Sequence, residues 1–335
     1  MKIEERTLTR MEKQAQKDEV VAAFRWFAQA VNAGRKGESE MSPLVEATSR
    51  LSLSQMESWE RCLRRELHNT QHQPTSLTWL DLCSGDGYIR EETLNALSGA
   101  APNRFFLALA LRRLNDWVPQ VRAAARKQLP LIANASDPEQ VVDVLCATLP
   151  HWDSWGRMED ADKQVILELI SPEKVLIALK FRLISSKSGP MTTILVQACR
   201  TPALDPYLAE IAHRAIQPAV RAKVYRLQLS RKNVWFEGKK WEWTNLRDCK
   251  GRFKPIHFER ALSVDSPFLE TLKLAATDPS PMVRRVAGEM LIRELNTISA
   301  ETGADVRNLA ELLASDTSVS VAEQGKFVLK RLFQC

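Results

Sequence analysis

One seven-residue pattern recurs along the chain and constrains its fold more than any other feature. Asp116-Trp-Val-Pro-Gln-Val-Arg122 returns as Asp278-Pro-Ser-Pro-Met-Val-Arg284. A third copy, Asp316-Thr-Ser-Val-Ser-Val-Ala322, keeps the spacing and loses the Arg. Two looser copies are Asp86-Gly-Tyr-Ile-Arg90 and Gln217-Pro-Ala-Val-Arg221. Behind each of the three full copies comes the same apolar comb. After Val283 it runs Val286, Ala287, Met290 and Leu291. After Val121 it is Ala124, Ala125, Gln128 and Leu129, and after Val321 it is Gln324, Gly325, Val328 and Leu329. Offsets of three, four, seven and eight put these side chains on one face of a helix. The residues before the comb suit a helix start. Asp accepts hydrogen bonds from N–H groups that the first turn leaves free. Pro costs nothing there, because its missing N–H would have had no partner.

A recurring unit that cannot bury its own apolar face must stack on its neighbours. The pattern resembles the HEAT-repeat family, in particular its short bacterial form, in which an Asp-x-x-x-x-Val-Arg stretch begins the second helix of each pair. The intervals fit. Arg90 to Arg122 is 32 residues, and Arg284 to Ala322 is 38. Arg122 to Arg221 is 99, room for two degenerate repeats between. The resemblance covers residues 76–335 and implies that Asp116, Arg122, Asp278 and Arg284 are structural links between adjacent repeats. The expected fold class is therefore all-α, a right-handed α-solenoid of HEAT-like helix pairs with a small β-hairpin insertion. Four segments are expected: an N-terminal helical cap over 1–75, HEAT-like repeats over 76–230, a basic aromatic insertion over 231–260, and C-terminal repeats over 261–335. In the first segment, apolar positions at Leu8, Met11, Ala15, Phe24, Phe27, Ala28 and Val31 predict a helix, and a second is predicted near 52–70. A solenoid needs such a polar-faced cap to end cleanly.

Composition agrees with helices. The chain has 335 residues, 44% of them hydrophobic, but only 12 Gly, fewer than the turns of an all-β or Rossmann protein would use. The N-terminus is charged almost throughout and lacks the apolar region of a secretory signal. The longest apolar run, Phe105 to Leu111, is far short of the roughly 20 residues that a spanning helix needs. The six cysteines lie far apart with no Cys-x-x-Cys, which reads as reduced thiols in a cytoplasmic protein with no membrane association.

Several motifs tempt. Leu80-Asp-Leu-Cys83-Ser-Gly85-Asp86-Gly87 looks like the cofactor loop of S-adenosylmethionine methyltransferases. That loop needs a preceding strand and a Gly where Cys83 stands, and no alternating strand pattern surrounds it. His68 and His72 share a helical face and, with Cys62 and Cys83, could bind zinc. Asn69 stands where a zincin helix carries Glu, and the spacing matches no zinc finger, so no metal site is expected. Trp152, Asp153, Trp155 and Arg157 resemble in composition the concave cradle of HEAT-like alkylpurine DNA glycosylases, yet match no motif of theirs; tryptophans packed between repeats account for them as well. The isolated His151, His213 and His257 have no triad partner at motif spacing. No catalytic residue and no cofactor is expected.

One segment departs from the helical pattern. Net charge is +6, but residues 215–260 hold twelve Lys/Arg against four Asp/Glu, a local +8 that leaves −2 for the rest. Within it, Val234-Trp-Phe-Glu-Gly238-Lys239-Lys240-Trp241-Glu-Trp243 reads as a hairpin with Gly238-Lys239 as a two-residue turn. That register sets Glu237 against Lys240, Phe236 against Trp241 and Val234 against Trp243, with all four apolar residues on one face. Trp235 then points away from them. A second turn is expected at Lys250-Gly251. Insertions in solenoids often lie on the binding face. The candidate binding residues are Trp235, Lys239, Lys240, Arg247, Lys250, Arg252 and Lys254. The expected function is a non-enzymatic scaffold that holds a protein partner through the solenoid surface and this insertion. The alternative is a nucleic-acid-binding HEAT-like protein, extending to a DNA-processing enzyme that resembles the alkylpurine glycosylases, because cations interleaved with aromatics suit phosphates and bases.

Overall fold

The computed structural model describes residues 10–35, 38–70, 77–295 and 303–332. Leu8, His72 and Cys335 lie outside them. The chain divides into two compact units, residues 1–175 and 176–335.

In the first unit, α1 (Arg10–Asn32) packs on α2 (Glu38–Ser49) and α3 (Met56–Asn69). It does so through Val20, Phe24, Phe27, Ala28 and Val31, all buried. Then come α4 (Gly87–Ala96), α5 (Arg104–Arg112), α6 (Pro119–Ala135), α7 (Pro138–Thr148) and α8 (Asp160–Glu168). They form two layers: α3, α5 and α7 contact in sequence on one side, and α4, α6 and α8 on the other. The second unit holds α9 (Glu173–Ser185), α10 (Met191–Ala198), α11 (Leu208–Arg214) and α12 (Pro218–Ser230). An antiparallel pair of strands, β1 (Lys232–Asn245) and β2 (Lys250–Ala261), follows. The unit closes with α13 (Phe268–Ala276), α14 (Pro281–Glu294), α15 (Gly303–Ala314) and α16 (Val319–Leu332). Here α12, α14 and α16 form one layer and α13 and α15 the other. The architecture is thus all-α helix pairs with one hairpin insertion. No described helix is long and apolar enough to cross a membrane.

The recurring comb is the core side of the second layer. Val121, Ala125 and Leu129 are buried on α6; Val283, Ala287, Met290 and Leu291 on α14; Val321 and Val328 on α16. Gly325 has a separate reason to be small. A Cβ there would stand 2.2 Å from the Ala314 backbone nitrogen, so Gly lets α16 cross α15 closely.

The Asp and Arg of the motif tie successive repeats together. Arg221 forks onto Asp278 at 2.8 and 2.9 Å, and its third nitrogen donates to the carbonyls of Ala215 and Ile216 ahead of its own helix. Arg284 repeats the arrangement with Asp316 at 2.5 and 2.9 Å and with the carbonyls of Asp278 and Pro279. Arg90 does the same with Asp116 at 2.9 and 2.7 Å and with the carbonyls of Ser84 and Gly85. The aspartates cap differently from the expectation. Asp116, Asp278 and Asp316 each accept from the N–H two residues on, in the turn before the helix rather than within its first turn. Their main load is the guanidinium of the preceding repeat. Asp86 in the loose copy is the one that caps a helix directly, accepting from Tyr88 N–H. Arg122 keeps the carbonyl bond, to Asp116 at 3.1 Å, but in place of a motif Asp it meets Glu159 at 2.7 Å and the buried Asp162 of α8 at 3.7 Å.

Burial would raise the Asp116 carboxyl, but the Arg90 hydrogen bonds and the Arg113 charge outweigh it and hold it below the ordinary aspartate range. Next to it, Glu60 on α3 is shared by Arg64, Arg112 and Arg113. Burial pushes Glu60 up, and Arg113 and Arg112 more than reverse that, to about 2.

The tempting motifs become structural. Residues 79–83 form a tight 3-10 turn leading into α4. Asp81 reaches back to the Thr78 N–H at 2.7 Å as part of a capping box. Among the described residues no strand lies beside it, and the turn runs straight into α4. Cys83 is fully buried, which pushes its thiol up to about 12. Trp152 is buried in the core, and Trp155 lies under the Arg112 guanidinium at 5.9 Å.

Candidate interaction site on the hairpin

The hairpin is longer than its sequence pattern predicts, and its turn lies elsewhere. β1 and β2 pair from Lys232–Ala261 out to Asn245–Lys250, so the turn is Leu246–Cys249. Gly238-Lys239 lies within β1. Gly238 sits beside a β-bulge at φ 149°, conformational space that only Gly enters freely. Accordingly Phe236 faces His257, Trp241 faces Phe253, and Trp243 faces Gly251, in place of the pairs drawn from a Gly238-Lys239 turn. Lys250-Gly251 begins β2 and is not a second turn.

The bulge has a consequence for the faces. Skipping Glu237 shifts the alternation by one, so residues before and after it stay in phase. One face therefore carries Val234, Phe236, Lys239, Trp241 and Trp243 from β1 with Phe253 and His257 from β2. Rings meet along it: Phe236 with His257 at 6.0 Å, Trp241 with Trp243 at 5.5 Å, and Trp241 with Phe253 at 4.9 Å. Gly251 makes room for this stack, since a Cβ there would lie 2.4 Å from the Trp241 ring. The shared face of Val234, Phe236, Trp241 and Trp243 is as the sequence suggests. It is not glued to the helices, however. Phe236 is 41% exposed, Trp243 52% and Phe253 64%.

The opposite face does the anchoring at its base. Asn233 is buried and donates to the Val196 carbonyl on α10 at 3.0 Å. Arg260 forks onto Asp205 at 2.8 Å through both terminal nitrogens and caps the carbonyls of Cys199 and Thr201. Burial would raise Asp205, but the Arg260 bonds and those from Ser263 hold it below its ordinary value. Trp235 belongs to this anchor. Its indole donates to Glu237 at 2.8 Å, and the Arg200 guanidinium lies over its ring at 5.2 Å. Trp235 is thus turned toward the helical body, opposite to the outward position that the shorter hairpin gave it. Arg200 also donates to the Phe236 carbonyl.

Further out, the same face is cationic. Lys240, Lys250, Arg252 and Lys254 share it with Glu242, which lies 3.5 Å from Arg252 and 3.7 Å from Lys254, and Asp248 of the turn lies 3.6 Å from Lys250. Arg247 is in the turn and exposed. The structure therefore gathers Lys240, Lys250, Arg252 and Lys254, sets Lys239 alone among the aromatics, and separates Trp235 from them all. Sequence reasoning did not select Phe253, Trp243 or Trp241 as site residues, nor Arg260 and Asp205 as the anchor. The alternation of Phe253 with Arg252 and Lys254 was the available signal, and Arg260–Asp205 had none, because 55 residues separate the two.

Among the described residues, the helix pairs and the Arg–Asp links between them form an all-α, HEAT-like repeat architecture with a hairpin insertion. A family model, described as a HEAT repeat associated with sister chromatid cohesion, matches residues 260–287. That stretch runs from the end of β2 through α13 into α14 and contains the Asp278–Arg284 motif. The match supports a HEAT-repeat family for this chain. None of the curated proteins matches it.

Proposed function

We propose that this chain is a scaffold of the short bacterial HEAT type that docks a protein partner through the outward aromatic face of its hairpin. One observation carries the reading: Trp241, Trp243 and Phe253 pack ring against ring on the outward face, Phe236 lies further along it, and all four are exposed. Single exposed apolar residues are ordinary, but a contiguous stripe of large aromatics marks a contact surface. The Arg260–Asp205 and Arg200–Glu237 links hold its base in place, so little ordering cost remains for binding. Residues 231–260 act in this reading as an insertion that carries the contact, while the helix pairs on either side position it. The chemistry described needs no catalytic group, and a cytoplasmic setting suits it.

Nucleic acid is the second reading, supported by the local +8. The separation of the faces weighs against it. Stacking platforms for single strands interleave cations with aromatics on one surface; here only Lys239 stands among the outward rings, and the cationic face has its aromatics, Trp235 and Phe258, together at the base. The test is affinity capture from native cells with the intact chain and with Trp243→Ala/Phe253→Ala. A protein partner lost only from the variant supports docking. Equal capture by both, or a gel shift with nucleic acid at low salt that the variant abolishes, refutes it.

A further inference from the structure

We infer that the hairpin takes a third strand, an extended partner segment in which bulky apolar and acidic residues alternate, added at the outer edge of β1 between Lys239 and Trp243. The inference rests on the docking reading above and names the chemistry of the partner. Three observations lead to it.

The first is the free edge. Among the described residues the sheet has two strands, so each strand has one side with no described strand beside it. Such an edge presents unpaired N–H and C=O groups and is a template for another strand. The two edges are not equivalent. Pro255 interrupts β2 and supplies no N–H to a newcomer. On β1 the base is already engaged, with Asn233 bonded to Val196 and the Phe236 carbonyl to Arg200. From Lys239 to Trp243, β1 contains neither Pro nor Gly and pairs without a register shift; a second irregularity follows Trp243.

The second is the two-faced character of the ribbon at that place. One face presents Trp241, Trp243 and Phe253, and the other Lys240, Arg252 and Lys254. Successive residues of an added strand point to opposite faces. Main-chain bonds to the edge give such a strand affinity, and alternate side chains give it specificity. The strand that satisfies both faces carries apolar side chains on one parity and carboxylates on the other. A register slip of one residue would set carboxylates on tryptophans, so the alternation also fixes register.

The third is that the cations are available. Glu242 contacts Arg252 and Lys254 at more than 3.4 Å with both cations largely exposed, and Asp248 stands 3.6 Å from Lys250. Exposed pairs of this kind contribute little and exchange readily. A second carboxylate opposite Lys240 and Lys254 would therefore gain more than it displaces.

Random peptides of about ten residues, the length of a long strand, displayed as a library and selected on the immobilised full-length chain, test this. The expected result is enrichment of peptides whose acidic and apolar residues alternate. Binding of the winners should fall roughly ten-fold or more on Lys240→Glu/Lys254→Glu and on Trp243→Ala. The charge-reversal variant decides alone if Trp243→Ala alters the circular dichroism of the chain. No enrichment, enrichment without alternation, or winners indifferent to Lys240 and Lys254 would overturn the inference. An oligothymidylate that binds the same residues more tightly than any peptide would overturn it as well. Loss of a cellular partner from Trp243→Ala/Phe253→Ala alongside a failed selection would leave docking intact and remove only the added strand.

Discussion

Replacing Asp116 by Ala should cost the first unit about 3–5 kcal/mol, the range for breaking one partner out of a buried ionic network. The figure follows from what the carboxylate holds. Its oxygens receive Arg90 at 2.9 and 2.7 Å, Arg113 at 2.9 Å and the Val118 N–H at 3.0 Å. The Arg90 and Asp116 side chains are only 2% and 3% exposed, so water cannot replace the lost partner. Without Asp116, Arg90 keeps only the carbonyls of Ser84 and Gly85, whereas Arg113 keeps Glu60. Loss of a helix cap alone would cost about 1 kcal/mol, so the two explanations of the motif Asp differ measurably. The double replacement Asp116→Ala/Arg90→Met should recover part of the loss, because no buried charge is then stranded. Urea unfolding followed by tryptophan fluorescence gives the total. Amide exchange read by mass spectrometry assigns the loss to α4 and α6, which matters because two units need not unfold together. A cost near 1 kcal/mol, or a double variant worse than the single by the full cost of Arg90, would refute the inter-repeat link.

Three further outcomes are expected. Leu291→Ala, at a fully buried comb position, should cost about 2–4 kcal/mol in denaturant unfolding. Gly325→Ala should lower the melting temperature through overpacking of about 1–3 kcal/mol, because its Cβ meets backbone rather than a movable side chain. Glu60 is held at about 2 in the fold against an ordinary 4.5, so its stabilisation is full above about 4.5 and is lost as pH falls toward 2; Glu60→Gln should flatten that acid limb of a pH–stability curve.

The sequence carries much of this fold because the repeat motif is local. Six residues separate Asp278 from Arg284, and their spacing, Pro and apolar comb predict the helix start and buried face that α14 shows. The partner of each Arg is one repeat away, and so the forks from Arg221 to Asp278 and Arg284 to Asp316 are visible only through the family resemblance. The loose copy shows the cost of reading by residue type. Asp86 resembles a motif Asp, yet Ser84 and Gly85 occupy the carbonyl positions that Arg90 uses, and Asp86 caps α4. The hairpin was legible as a hairpin and misplaced in register. Gly238 signals a turn in two-residue form, and the same Gly signals a bulge inside a longer ribbon. What decides between them is the pairing with β2, and Phe253, Ile256 and Phe258 there only gain meaning once β1 runs on to Asn245.

Site-specific photo-cross-linking in native cells tests the central claim most directly. A photoreactive residue in place of Trp243 stands on the outward aromatic face, and one in place of Trp235 faces Arg200 and the helical body. The account predicts a discrete protein adduct from position 243 that disappears when Phe253 is also changed to Ala, and no such adduct from position 235. Equal adducts from both positions, a nucleic-acid adduct, or none from position 243 would contradict it.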